Sequence, residues 1–198
     1  MPLISNGTMD PRDVQQIQAG MRAASKAERL ASLERLHLLL REKDVDSSFL
    51  SSLRLLLSAE DPVERRMASW AVGKMAQNKV RGEYPVIKLI ELLTDEDEEV
   101  RENAAWTLGE LTSLGIGGEN EIRSLNLLLE DPHPQVRGMA AWTLGRLAER
   151  LGIGHFSSIP PLRMMLQDHS LNARKSAIYA LERLTALGIK ENSQNSVS

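Results

Sequence analysis

The side chains with the most to offer a binding partner recur in register. Trp70, Trp106, Trp142 and Tyr179 are separated by 36, 36 and 37 residues, and they include all 3 tryptophans of the chain. Such rings bind by burying apolar area, by stacking, and by drawing a cation to the ring face. One helical turn to either side stand Arg66 and Lys74, Glu102 and Glu110, Gly138 and Arg146, then Lys175 and Arg183. The sign of these flanks runs positive, negative, positive, positive. A second series, Arg65, Arg101, Arg137 and Arg174, keeps the same spacing, with Asp61, Asp97, Asp131 and Asp168 close by in sequence.

Other chemistry has little to work with. There are no cysteines, which removes disulfides, thiolate metal sites and thiol nucleophiles. His37 lies beside a leucine stripe with no second ligand at i+4, so it reads as a packed or half-exposed structural residue. The run Gly115-Ile116-Gly117-Gly118 has phosphate-cradling composition, but no Gly-Lys-Ser/Thr follows it. Asp95 to Glu99 lacks the ligand spacing and central glycine of a calcium loop, and instead suits a helix start. Asn6-Gly7-Thr8 is a glycosylation sequon without a secretion signal. No metal, no cofactor and no catalytic constellation are expected.

A period of 36 to 37 residues is the signature of a solenoid, in which each repeat buries its apolar face against its neighbours. At 198 residues, 26% charged and 42% hydrophobic, with a net charge of −3, the chain reads as an ordinary soluble protein. That balance gives no general affinity for polyanions. No apolar run approaches a membrane span and the N-terminus resembles no signal, so a cytoplasmic, non-membrane protein is expected.

The elements follow. Residues 1–9 read as a flexible tail and 10–45 as N-terminal capping helices, the stronger beginning at Ser25 and running to about Lys43. Residues 46–189 divide into four repeats, 46–81, 82–117, 118–154 and 155–189, each a shorter first helix and a longer second one. The second helices are expected over Pro62 to Gln77, Glu98 to Leu114, Pro134 to Leu151 and Leu171 to Leu187. Three of them stop at Leu-Gly-Ile, a Schellman-type ending. Residues 190–198 are polar and expected to be disordered.

The unit Asp-Pro-x-x-x-Val-Arg-x-x-Ala-Ala-x-x-Leu-Gly resembles the HEAT repeat, in the short two-helix form named after phycobilisome lyases. The resemblance covers residues 46–189. It implies an all-α, right-handed solenoid of antiparallel helix pairs with the second helices lining a concave surface, used as a binding scaffold. Deoxyhypusine hydroxylases are similar in layout but carry His-Glu iron-ligand steps; none of His37, His133, His155 or His169 is followed by Glu. Alkylpurine DNA glycosylases place an Asp beside the concave tryptophans, and none stands in that column here. Bilin lyases share the repeat without a transferable motif and work as subunit pairs, which leaves an accessory-subunit role open. Armadillo repeats of import receptors also resemble this pattern but place Asn four residues after Trp, where this chain has Lys74, Glu110, Arg146 and Arg183.

On a helical wheel of the third long helix, Val136, Ala140, Leu144, Leu147 and Leu151 form the buried stripe, with Arg137 beside it. The arginine column therefore reads as a structural ion-pair ladder with Asp61, Asp97, Asp131 and Asp168. Trp142 falls roughly 190° from the stripe, sharing its side with Gly138, Gly145, Arg146 and Glu149. The aromatic column is either a contact surface or lateral packing between adjacent long helices. On the first alternative, truncating a ring should weaken a partner and barely move stability. The interrupted charge track favours a protein or peptide of mixed charge in the groove, with single-stranded nucleic acid second.

Overall fold

The computed structural model describes residues 10–42 and 45–190. The expected tails, 1–9 and the residues after Lys190, and the helix end placed at Lys43 lie outside the described residues. Regular structure among the described residues is helical throughout: α1 Pro11–Met21, α2 Lys26–Glu42, α3 Leu50–Leu56, α4 Pro62–Gln77, α5 Val86–Leu92, α6 Glu98–Leu111, α7 Asn120–Leu128, α8 Pro134–Leu151, α9 Ile159–Met164 and α10 Leu171–Ala186. Short connectors join helices that pack on each other in pairs, α1 on α2, α3 on α4, α5 on α6, α7 on α8 and α9 on α10. Pairing across so short a connection makes each an antiparallel hairpin.

Local chemistry sets the ends of the long helices. Asp61 and Asp97 cap α4 and α6 by accepting the amides of Val63 (2.9 Å) and Val100 (3.0 Å), and Ser170 caps α10. Prolines at the first turns of α1, α4 and α8 forgo an N–H that no carbonyl would have met. At the far ends Gly115, Gly152 and Gly188 are left-handed, with φ of 77°, 68° and 77°. The isoleucine after each donates its amide back into the last turn. Lys79 holds the same place after α4 at φ 63° without being glycine.

The second helices α4, α6, α8 and α10 pack along one another, whereas successive first helices approach each other far less. The stack is therefore wedge-shaped, and the second-helix side is the concave one. Small side chains permit the close approach: Ala68, Ala104, Ala105, Ala140 and Ala141 are fully buried. Two buried hydroxyls bridge the layer directly, Thr107 donating to the Ser69 carbonyl (2.9 Å) and Thr143 to that of Ala105 (2.7 Å).

The arginine column is a ladder between repeats, with a different set of acids from that expected. Arg65, Arg101 and Arg137 reach forward to Asp95, Asp131 and Asp168 through paired contacts of 2.6–3.1 Å. Each also donates its remaining nitrogen to two carbonyls of the loop before its own helix, as Arg137 does to Asp131 (2.7 Å) and Pro132 (3.1 Å). Asp61 and Asp97 stand two residues further along each loop: they cap helices, and their cations are Lys26 and Arg66. The guanidinium of Arg137 holds the Asp168 carboxyl below the usual range against the opposing effect of burial. Burial pushes Asp131 up, but its bonds from Arg101 and the His133 amide outweigh that and leave it low. Arg174 makes the two carbonyl bonds and, among the described residues, takes no carboxylate.

The ladder also shows that α1 and α2 are built as a repeat. Arg29, 36 residues before Arg65, donates to the carbonyls of Ala23 (3.0 Å) and Ala24 (2.8 Å) in the same way. The acid position that Asp95 fills for Arg65 is Ala59 here, so Arg29 turns to Glu64 (2.6 Å). A cleft lined by Met21, Arg22, Lys26, Leu55 and Ala59 opens at this junction.

Candidate binding groove

The aromatic residues emerge from α4, α6, α8 and α10 where one second helix meets the one before it. None is free-standing. A β-carbon on Gly73 would collide with Cζ3 and Cε3 of Trp106, one on Gly109 with the same atoms of Trp142, and one on Gly145 with Cε1 and Cδ1 of Tyr179. Each ring thus lies edge-on over the glycine of the preceding repeat, and all four aromatics are half-buried. Trp70 meets His37 instead, with ring centroids 4.3 Å apart. Gly145, which the wheel placed on the open side with Trp142, is buried under the next ring, and Gly138 is buried against Ala173. The wheel treats a helix alone; here the two flanks of each helix are covered by its neighbours and only the strip between them reaches solvent.

Lateral packing between adjacent long helices is therefore present, and it leaves part of each ring open. The inner edge of each ring is packing, and the remainder contributes to the concave surface. This alters the expectation that truncation leaves stability unchanged, because removing a ring opens a gap over the glycine below.

Charges dress what remains exposed. The Arg146 guanidinium lies 5.2 Å from the centre of the Trp142 ring and that of Arg183 5.4 Å from Tyr179, each one turn along its own helix. The Tyr179 hydroxyl donates to Glu149 (3.1 Å), and burial followed by this bond raises its pKa. Arg66 pairs with Glu99 (2.8 Å) and Asp97 (3.3 Å) across the junction, while Lys74 bonds Gln77 on its own helix. Burial, and then the neighbouring Glu99, pushes the Glu102 carboxyl up. Glu110 is half-buried and Lys175 exposed. The groove runs from Lys74 across acidic Glu102 and Glu110 to the cations Arg146, Arg183 and Lys175.

Several contributors to this surface escaped the sequence. Leu38 stands in the column of Lys74, Glu110, Arg146 and Arg183 and is 62% exposed, extending the strip onto α2. His37 holds α2 on α4, donating from Nε2 to the Met67 carbonyl (3.0 Å), and burial lowers its pKa. Arg29, Asp95 and the glycine column Gly73, Gly109, Gly145 share the same period and could have been found by extending it to every position. Among the described residues no group of three or more His, Asp or Glu side chains could hold a metal ion. No helix among them is long and apolar enough to cross a membrane.

The architecture is that of an α-solenoid of stacked helix hairpins. A family model of HEAT repeats matches residues 122–192 and one of a HEAT-like repeat matches residues 62–111, and the chain is a HEAT-repeat protein. These matches extend to the repeat and not to its phycobilisome-lyase branch. Curated proteins contain no match. Among solved structures, an engineered protein superposes with a TM-score of 0.72 at 20% identity, over 93% of this chain and 84% of its own. A designed armadillo repeat protein in complex with the peptide (KR)4 gives 0.65 at 21% identity, over 88% and 87%. The MAST/Orbit N-terminal domain gives 0.52 at 19%, over 87% and 83%. At these identities the likeness is one of fold.

Proposed function

We propose that this chain is a scaffold that holds a peptide or partner subunit of mixed charge along its concave face and performs no chemistry of its own. One observation carries the reading: every repeat from α4 onward presents a half-exposed aromatic at the same place on the second-helix layer, flanked by charges that are not spent on the ladder. Burying the accessible part of such rings is worth about 1 kcal/mol or more each when a partner covers them. The acidic middle and basic ends suit a segment with a Lys or Arg over Glu102 and Glu110 and carboxylates over Arg146 and Arg183. A designed armadillo repeat protein of similar fold holds a basic peptide, which lends support to an extended polypeptide as the ligand class.

The test is selection from a random peptide library on the intact protein, followed by titration of the selected peptides. Selected sequences should carry a central basic residue, and Glu110→Lys should weaken them about tenfold without lowering the melting temperature. Salt should act mildly. If the selection yields no binder and a single-stranded oligonucleotide binds instead, with affinity falling steeply between about 50 and 200 mM salt, the groove serves nucleic acid and the proposal fails.

A further inference from the structure

The two ends of the stack are finished differently. At the N-terminal end, the columns that a preceding helix would bury carry Glu34 and Arg35, in line with Trp70 and with fully buried Ala71. Arg35 is tied to Asp13 (3.7 Å) and Gln16 (3.3 Å), so this face is a polar cap of the kind a terminal repeat needs.

The C-terminal face has no such finish. Ile178 stands in the column of Leu33, Ser69, Ala105 and Ala141, each 0% exposed because the next second helix covers it, yet Ile178 is 47% exposed. Leu181 follows Leu36, Val72, Leu108 and Leu144, and Leu166 follows Leu57, Leu93 and Leu129; all the earlier members are buried and these two are not. Together with Thr185 and Ala186 they line a depression of about 550 Å³. Beside it Arg174 makes its two carbonyl bonds but takes no carboxylate among the described residues, although Arg65, Arg101 and Arg137 each hold one from the repeat that covers them. Lys175 adds positive charge, and Glu182 is the one acid of α10.

The geometry points to a second interaction surface, the α9–α10 end face, that docks an amphipathic helix of another protein carrying an Asp or Glu placed to pair with Arg174. The interior junctions show the required form: a helix offering small or aliphatic residues to the Ile178–Leu181 ridge, with the carboxylate for the guanidinium standing in the turn three residues ahead of that helix. A second copy fits poorly. Stacked head to tail it would bury Glu34 and Arg35 on the apolar ridge, and joined tail to tail it would oppose Arg174 and Lys175 to themselves. Residues 191–198 hold a single aliphatic side chain, Val197, and so offer the ridge no apolar face of their own. This surface lies at the end of the stack and acts independently of the groove.

The test places the photo-reactive residue p-benzoylphenylalanine at position 178 of the full chain, irradiates it in the cells that express the protein, and maps the joined peptide by mass spectrometry. The joined peptide should be an acidic amphipathic helix from a different protein. Made as a synthetic peptide, it should bind the unlabelled protein and lose at least tenfold in affinity when its acid is changed to the amide or when Ile178→Asp is introduced. Trp106→Ala should leave it unaffected. A cross-link to a second copy of this chain, peptides with no common acidic helix, or a synthetic peptide indifferent to both changes overturns the proposal.

Discussion

At the scale of single residues, the ladder and the helix stops carry the clearest energetics. Arg137 has only 18% of its side chain exposed and serves four acceptors, the two oxygens of Asp168 and two loop carbonyls. Arg137→Ala would leave a 7% exposed carboxylate without its cation, so urea unfolding should show a loss of about 2 kcal/mol or more. A change within about 0.5 kcal/mol would reassign the pair to the class of solvated surface bridges. Lys79 offers the opposite sign. It alone among the helix stops takes a left-handed φ with a β-carbon, a strain of about 1 kcal/mol, so Lys79→Gly should raise stability by roughly that amount. An unchanged or lower melting temperature would mean that its stem makes contacts worth as much as the strain.

At the scale of elements, what matters is the flank of each long helix. Glycine inside a helix ordinarily costs about 1 kcal/mol relative to alanine, so Gly109→Ala should be stabilising on propensity alone. Here the added methyl would meet the Trp142 ring, and the helices would have to part or the ring leave its place, at about 1–3 kcal/mol. The net change should therefore be destabilising; a stabilised Gly109→Ala variant would show the rings to be loosely held and return them wholly to the surface. For the same reason Trp106→Ala should lower both melting temperature and peptide affinity, whereas Glu110→Lys should touch affinity alone. Legibility divides along this line. The buried stripe through Val136, Ala140 and Leu144 and the stops at Gly115, Gly152 and Gly188 depend on contacts within one hairpin, and the pattern of residues in each helix reveals them. The acid partners and the ring seats depend on which residue of one repeat meets which of the next. A loop that offers both Asp95 and Asp97 leaves that pairing open, and the nearer acid in sequence is a cap.

At the scale of the whole molecule, a solenoid is a row of junctions whose stabilities add approximately in series. The junctions are unequal. The α8–α10 contact is the most extensive and the α2–α4 contact the slightest of the second-helix layer. At α2–α4 the ladder lacks its aspartate, Ala59 standing in its place, and His37 occupies the column where Gly73, Gly109 and Gly145 admit a ring. The α1–α2 hairpin should accordingly open ahead of the rest, with amide protection lowest there and highest in α8 and α10. This opening should also be pH-dependent. Burial lowers the pKa of His37, with the Met67 carbonyl and Glu34 opposing and Arg41 assisting, so the unfolded hairpin takes up a proton that the folded one resists. Its contribution is fully present above the unfolded value near 6.5 and is lost as pH falls through the lower folded value. Between about pH 7.5 and pH 5.5, protection factors in α1 and α2 should drop while those in α8 and α10 hold. His37→Gln, which keeps a donor for the Met67 carbonyl but cannot titrate, should abolish the difference. Uniform loss along the stack, or a pH response that survives His37→Gln, would place the weakest junction elsewhere.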